Sequence, residues 1–162
     1  MVIEGIILAA GLSQRAETHK MILKMGESTV IEECLKGMYD FCSRIIVIGG
    51  YKVENLVPVL NKYKKVELVL NPAYEEGMFN SVKMGMRQII GDRFFFIPGD
   101  YPMIKKQVYA SMLACNGNIV VPVYEGKRGH PVLMNGPLAG ELLADHTHSN
   151  LREFIHAKGY KT

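Results

Sequence analysis

The residues best placed to do chemistry follow the first apolar run. They read Leu8-Ala9-Ala10-Gly11-Leu12-Ser13-Gln14-Arg15, with Lys20 shortly after. Ala9, Ala10 and Gly11 are small enough for a ligand to reach the backbone, and Gly11 can adopt the positive φ of a tight turn. Amides exposed in such a turn face phosphate oxygens. Arg15 supplies a planar fork and Lys20 a mobile point charge, a pairing suited to a compact polyphosphate. No Gly-Lys-Ser/Thr follows the glycine, so this is not a P-loop, and the GxGxxG dinucleotide pattern is absent. On spacing alone, a polyphosphate cradle and an ordinary turn with two solvated cations stand equal.

Three other places carry candidate groups. Asp100 lies in Pro98-Gly99-Asp100-Tyr101-Pro102, directly after the apolar run Phe94–Ile97. There it reads either as a turn aspartate before Pro102 or as a carboxylate presented at the carboxyl end of a strand. His130 lies in Arg128-Gly129-His130-Pro131, where a structural loop histidine is the plainer reading and a substrate contact the sharper one. Asp145, His146 and His148 suggest a metal triplet, but their spacing fits neither a helix face nor a zinc pattern. They read as a polar loop between helices.

Elements that position these residues alternate regularly. Strands are expected at Ile3–Ala9, Arg44–Ile48, Val66–Leu70, Phe94–Ile97 and Ile119–Val123, several as continuous apolar runs typical of strands covered on both faces. A helix should begin at Thr29, with Glu32 completing a capping box and Ile31, Leu35 and Met38 on one face. A second helix should span Val53–Tyr63, kinked or delayed by Pro58. A third carries Val82, Met86 and Ile89, with Gly85 allowing close packing, and a fourth spans Lys105–Cys115. Further helices are expected at Leu138–Ala144 and Asn150–Lys158. This order predicts one α/β domain over 1–162: three layers around a doubly wound, mostly parallel sheet, with ligands at the carboxyl ends of the strands.

Composition agrees. The 162 residues are 48% hydrophobic and 22% charged, a globular balance. The formal charge of +3 comes with no basic run, which argues against nucleic acid as the main partner. No apolar stretch approaches the roughly 20 residues of a membrane span. Three scattered cysteines without CxxC spacing read as reduced thiols of a cytoplasmic protein.

Four ordered segments together resemble the molybdenum-cofactor nucleotidyltransferase family. LAAGLSQR with Lys20 is similar to that family's LAAGxSxRMGxxK signature. Asn71-Pro72 with Gly77-Met78 and Ser81 resembles NPxxxxGMxxS. Pro98–Pro102 resembles its acidic GDxP loop, and GKRGHPVL at 126–133 resembles its RGHPV segment. The likeness covers most of the chain and implies a Rossmann-like nucleotidyltransferase fold of the GT-A-like kind. Two departures stand out. Ala16-Glu17 replaces the family's Met-Gly, and the family's late acidic segment is missing before Thr162, so the domain is expected to lack its C-terminal end and part of the metal site.

The resemblance implies roles residue by residue. Arg15 and Lys20 would neutralise the phosphates, and Asp100 would hold Mg²⁺, which makes these three the catalytic set. Leu8, Ala9, Ala10, Gly11, Ser13 and Gly99 would contact the nucleotide, while Asn71, Gly77 and Ser81 would line its base and ribose pocket. Arg128 and His130 would hold the acceptor. It further implies transfer of a nucleoside monophosphate, from CTP rather than GTP given the LAAG start, onto the terminal phosphate of molybdopterin with release of pyrophosphate. A molybdoenzyme or its chaperone would receive the product. The alternatives are transfer to a sugar phosphate or small alcohol phosphate, and a non-catalytic nucleotide-binding or cofactor-delivery protein.

Overall fold

The computed structural model describes residues 1–11 and 19–162. In chain order these form β1 (Ile3–Ala9), a 3-10 turn at Lys20–Ile22, β2 (Lys24–Met25), β3 (Ser28–Thr29), α1 (Val30–Met38) and β4 (Arg44–Gly49). A second 3-10 turn at Val53–Asn55 leads to α2 (Val57–Leu60) and β5 (Val66–Leu70), and a third at Tyr74–Glu76 leads to α3 (Met78–Met86). Then come β6 (Arg93–Pro98), α4 (Lys106–Leu113), β7 (Ile119–Val120), β8 (Val123–Tyr124), β9 (Lys127–Arg128), β10 (Val132–Asn135), α5 (Pro137–Ala144) and α6 (Leu151–Lys158).

The main sheet has the order β5-β4-β1-β6-β10-β7. Strands β5, β4, β1 and β6 are mutually parallel, whereas β10 runs antiparallel to both β6 and β7. Period-two alternation sorts the side chains into two cores. Ile6, Ile46, Ile48, Phe94 and Phe96 face α3, α5 and α6 on one side. Ile7, Ile45, Val47, Phe95 and Ile97 face α1, α2 and α4 on the other. The three-layer, mostly parallel architecture expected from the sequence is therefore present, and the fold is Rossmann-like.

Local chemistry explains the boundaries. The Thr29 hydroxyl accepts from the Glu32 amide while the Glu32 carboxylate accepts from the Thr29 amide, so the capping box forms as predicted. Helix α2 starts late: Pro58, which cannot donate, sits in its first turn, where no donor is required. The expected strand at Ile119–Val123 is interrupted, because Pro122 has no N–H for the ladder. Its carbonyl instead accepts from Gly129 at 2.9 Å, and β8 turns away to form a ribbon with β9. The third helix closes at Met86, one turn short of Ile89. The largest departure is β10, a strand at Val132–Asn135 where the sequence pattern predicts none.

At the amino end of the parallel strands, a buried ion pair closes the structure. Glu4, 1% exposed, accepts from Arg44 Nε at 2.9 Å and from the amides of Ile90 and Gly91 at 2.8 and 2.7 Å. The Glu4 carboxylate is thus taken up by structural partners. The described candidate residues Gly11, Lys20, Gly99 and Asp100 lie towards the opposite, carboxyl end of β1 and β6.

Candidate functional site

The carboxyl ends of β1 and β6 meet through one backbone bond: the Gly99 amide donates to the Leu8 carbonyl at 2.8 Å. The two strands lie so close that a Cβ on Gly99 would sit 2.7 Å from Met21 Sδ and 3.0 Å from Leu8 O. Met21 belongs to the 3-10 turn that begins at Lys20. Its packing on Gly99 sets the exposed Lys20 and the exposed Asp100 on neighbouring segments of one rim. Leu8 and Ala9 end β1, Ala10 follows them buried, and Gly11 emerges exposed beyond. Ser13 and Arg15 lie outside the described residues.

The ends of β4 and β5 form the next part of the rim. Gly49 and Gly50 follow β4's apolar run, and a Cβ on Gly50 would lie 2.6 Å from Tyr74 Cβ, so the β5–α3 loop packs directly on this backbone. The Asn71 amide nitrogen donates to Ser81 Oγ at 2.9 Å, and its carbonyl oxygen accepts from the Ala73 amide at 3.0 Å. Both side chains are buried, at 0% and 3% exposure. The resemblance gives them a nucleotide pocket to line; here they are paired with each other and brace the loop from within. Gly77, exposed between that loop and α3, has φ +112°, a conformation side chains rarely adopt.

A cavity of about 710 Å³ opens beside this rim. It starts one residue beyond Gly77, at Met78, and one before Gly99, at Pro98. Phe79, Val82, Phe96, Val121, Val132 and Ile155 give it an apolar lining, and Lys127, Arg128, His130, Asn150 and Arg152 add polar groups. Of the residues assigned to the site from sequence, Arg128 and His130 line this cavity. The His130 ring packs edge-on to Tyr101 with centroids 4.9 Å apart, and its Nδ1 is buried without a partner among the described residues. Burial holds the imidazole below its ordinary pKa, and the Asp100 charge opposes that shift. His130 therefore links the Asp100 loop to the cavity wall.

Sequence reasoning missed Lys127, Arg152 and the Gly49-Gly50 pair. The glycines had a local signal, two of them closing an apolar strand. The two cations had none, since their convergence is a tertiary fact. The polar loop at 145–148 is a self-satisfied turn: the Asp145 carboxylate accepts from the Thr147 amide at 2.6 Å and meets His148 Nδ1 at 2.6 Å. Among the described residues, no group of three or more His, Cys, Asp or Glu is gathered to hold a metal, and no helix is long and apolar enough to cross a membrane.

Known proteins resemble this arrangement. The chain is 29% identical to the molybdenum cofactor cytidylyltransferase of Escherichia coli K12 over 154 residues, covering 94% of this chain and 80% of that one. It is 28% identical to a probable molybdenum cofactor guanylyltransferase of Bacillus cereus AH820 over 128 residues, covering 76% of this chain and 63% of that one. The crystal structure of Rv0371c from Mycobacterium tuberculosis superposes with a TM-score of 0.83 at 21% identity, covering 99% of this chain and 86% of that one. Residues 5–161 match the family pattern itself, and the chain belongs to the MobA-like NTP transferase domain family.

Proposed function

We propose that the protein transfers a nucleoside monophosphate, CMP from CTP, onto the terminal phosphate of molybdopterin and releases pyrophosphate. The observation that carries this reading is the Leu8–Gly99 junction. It gathers the small-residue turn after β1, the Lys20 segment and the Asp100 loop at one rim, and the cavity walled by His130 opens next to them. Nucleotidyl transfer needs positioning and charge neutralisation more than a protein nucleophile, and this rim offers those means. CTP is favoured over GTP by the LAAG start and by the longer match to the cytidylyltransferase relative.

In this reading the backbone from Leu8 to Gly11, with Ser13 and Gly99, contacts the nucleotide. Arg15 and Lys20 offset charge on the phosphates, Lys20 next to the α-phosphate. Asn71, Gly77 and Ser81 shape the loop that meets the base and ribose. Arg128 and His130 receive the acceptor. Asp100 fits Mg²⁺, because that ion accepts one or two carboxylates and completes its shell with phosphate oxygens and water. When bound, it would supply charge neutralisation across the polyphosphate. Reduced thiols fit a cytoplasmic setting, and a molybdoenzyme or its chaperone would take the product.

The deciding experiment incubates the protein with each nucleoside triphosphate, Mg²⁺ and a panel of acceptors: molybdopterin, sugar phosphates and small alcohol phosphates. Product is read by mass. Asp100→Asn, nearly isosteric and on an exposed loop, should fold normally and lose about two orders of magnitude in turnover or more. Near-wild-type turnover would remove Asp100 from the reaction. Nucleotide binding without pyrophosphate release on any acceptor would instead favour a delivery protein.

A further inference from the structure

The cavity carries more positive charge than the Arg128–His130 loop alone supplies. Lys127 on β9 and Arg152 in the first turn of α6 line it together with Arg128, and among the described residues no carboxylate joins its lining. The rest of the lining is largely apolar, with Val82 and Phe96 buried and Phe79 partly so. Arg128 is held in place. One of its guanidinium nitrogens donates to Tyr160 Oη at 2.8 Å, and its carbon lies 5.4 Å from the centre of that ring. Tyr160 is anchored by its neighbour: the Lys161 amide donates to Ile119 O at 2.9 Å, and its carbonyl accepts from the Val121 amide at 2.8 Å.

We propose that Lys127, Arg128 and Arg152 form an anion-recognising rim, which selects an acceptor with an apolar body and a charged oxyanion group, and that Tyr160 is the positioning residue for Arg128. The proposal rests on the reading that this cavity receives the acceptor. Three cations with no carboxylate lining the cavity among the described residues leave charge to be met by the ligand. A guanidinium already held at one edge presents its remaining N–H groups as a preorganised fork for phosphate or carboxylate. The aromatic and aliphatic floor then sets the class of body that fits, since burying a ring there removes apolar surface from water.

The test uses 1-naphthyl phosphate, 1-naphthol and inorganic phosphate as probes, with affinity measured calorimetrically on the intact chain. Wild-type protein should bind naphthyl phosphate about tenfold or more tightly than either fragment, because rim and floor act together. Lys127→Gln and Arg152→Gln should each weaken naphthyl phosphate about five- to tenfold, leaving naphthol and CTP affinities unchanged. Tyr160→Phe, which keeps the ring over Arg128, should lose less than Tyr160→Ala, and neither should have a further effect in an Arg128→Gln background. A merely structural role for Tyr160 would persist in that background. Equal affinity of wild-type protein for naphthol and naphthyl phosphate would overturn the rim, as would neutral variants with unchanged affinity. If the wild type turns over an acceptor whose KM is unmoved in both Gln variants, the rim falls and the transfer reaction stands. If the probes behave as expected and no acceptor turns over, the rim stands and the transfer reaction falls.

Discussion

Gly99 and Met21 are locked by distance: a single methyl added to the glycine would stand 2.7 Å from the methionine sulfur. Because Met21 sits in the turn begun by Lys20, and Asp100 follows Gly99, this contact sets the spacing between the proposed phosphate and metal ligands. Gly99→Ala should therefore lower turnover by about tenfold or more, since small misplacements are costly in a reaction that depends on positioning. Adding Met21→Ala should recover part of the loss by freeing space. The recovery should be incomplete, because the Leu8 carbonyl at 3.0 Å cannot yield as a flexible side chain can. Rates of pyrophosphate release for both variants check this, and an active Gly99→Ala would show that the spacing is not critical.

Ser81 offers a contrast between support and contact. Ser81→Ala would leave the buried Asn71 amide nitrogen without its partner at 2.9 Å. An unsatisfied buried donor costs about 1–3 kcal/mol, which corresponds to a fall in melting temperature of roughly 2–12 °C for a chain of this size. CTP affinity should fall less than it does for Lys20→Ala. A variant that melts like wild type yet loses nucleotide would place Ser81 on the ligand instead.

The limits of sequence reading follow from these examples. β1 and β5 were legible to the residue because their β-branched runs end sharply at small or polar residues. The Thr29–Glu32 cap was legible because both partners lie within one turn. β10 was not: a three-residue apolar stretch after His130-Pro131 carries no directional signal, and its antiparallel pairing with β6 is decided by neighbours far away in the chain. The same distance hid the rim. Lys127 and Arg152 each look like a solvated cation until the fold sets the β8–β9 ribbon beside the start of α6.

Glu32 gives the chain an acid-sensitive joint. Burial raises its pKa, but hydrogen bonds from Lys62 at 2.8 Å, Tyr63 at 2.9 Å and Thr29 outweigh burial and lower it from 4.5 to about 2. A carboxylate with a depressed folded pKa stabilises above its unfolded value, and that stability is lost as pH falls through the folded one. The contribution should thus be complete above about pH 5 and fade between roughly 4.5 and 2. Glu32→Gln should be less stable than wild type at pH 7, with the gap narrowing across that window. Chemical denaturation at several pH values reads this directly, and a constant gap would show that the ion pair is not the source.

Base choice is the last prediction. A ligand that binds only the folded state stabilises it by an amount set by its concentration relative to its dissociation constant, about 2.7 kcal/mol at a hundredfold excess. For a chain of this length that is a rise of roughly 5–10 °C in melting temperature. If the loop from β5 to α3, braced by Asn71 and Ser81, shapes a pocket for cytosine, CTP should produce the largest shift among the four common triphosphates at equal concentration. Lys20→Ala should then reduce the four shifts by a similar factor, since it acts on the phosphates they share, and leave their order intact. Equal shifts for all four in the wild type would mean that the triphosphate alone is recognised. A larger shift for GTP would reverse the base assignment and leave the phosphate site where it is.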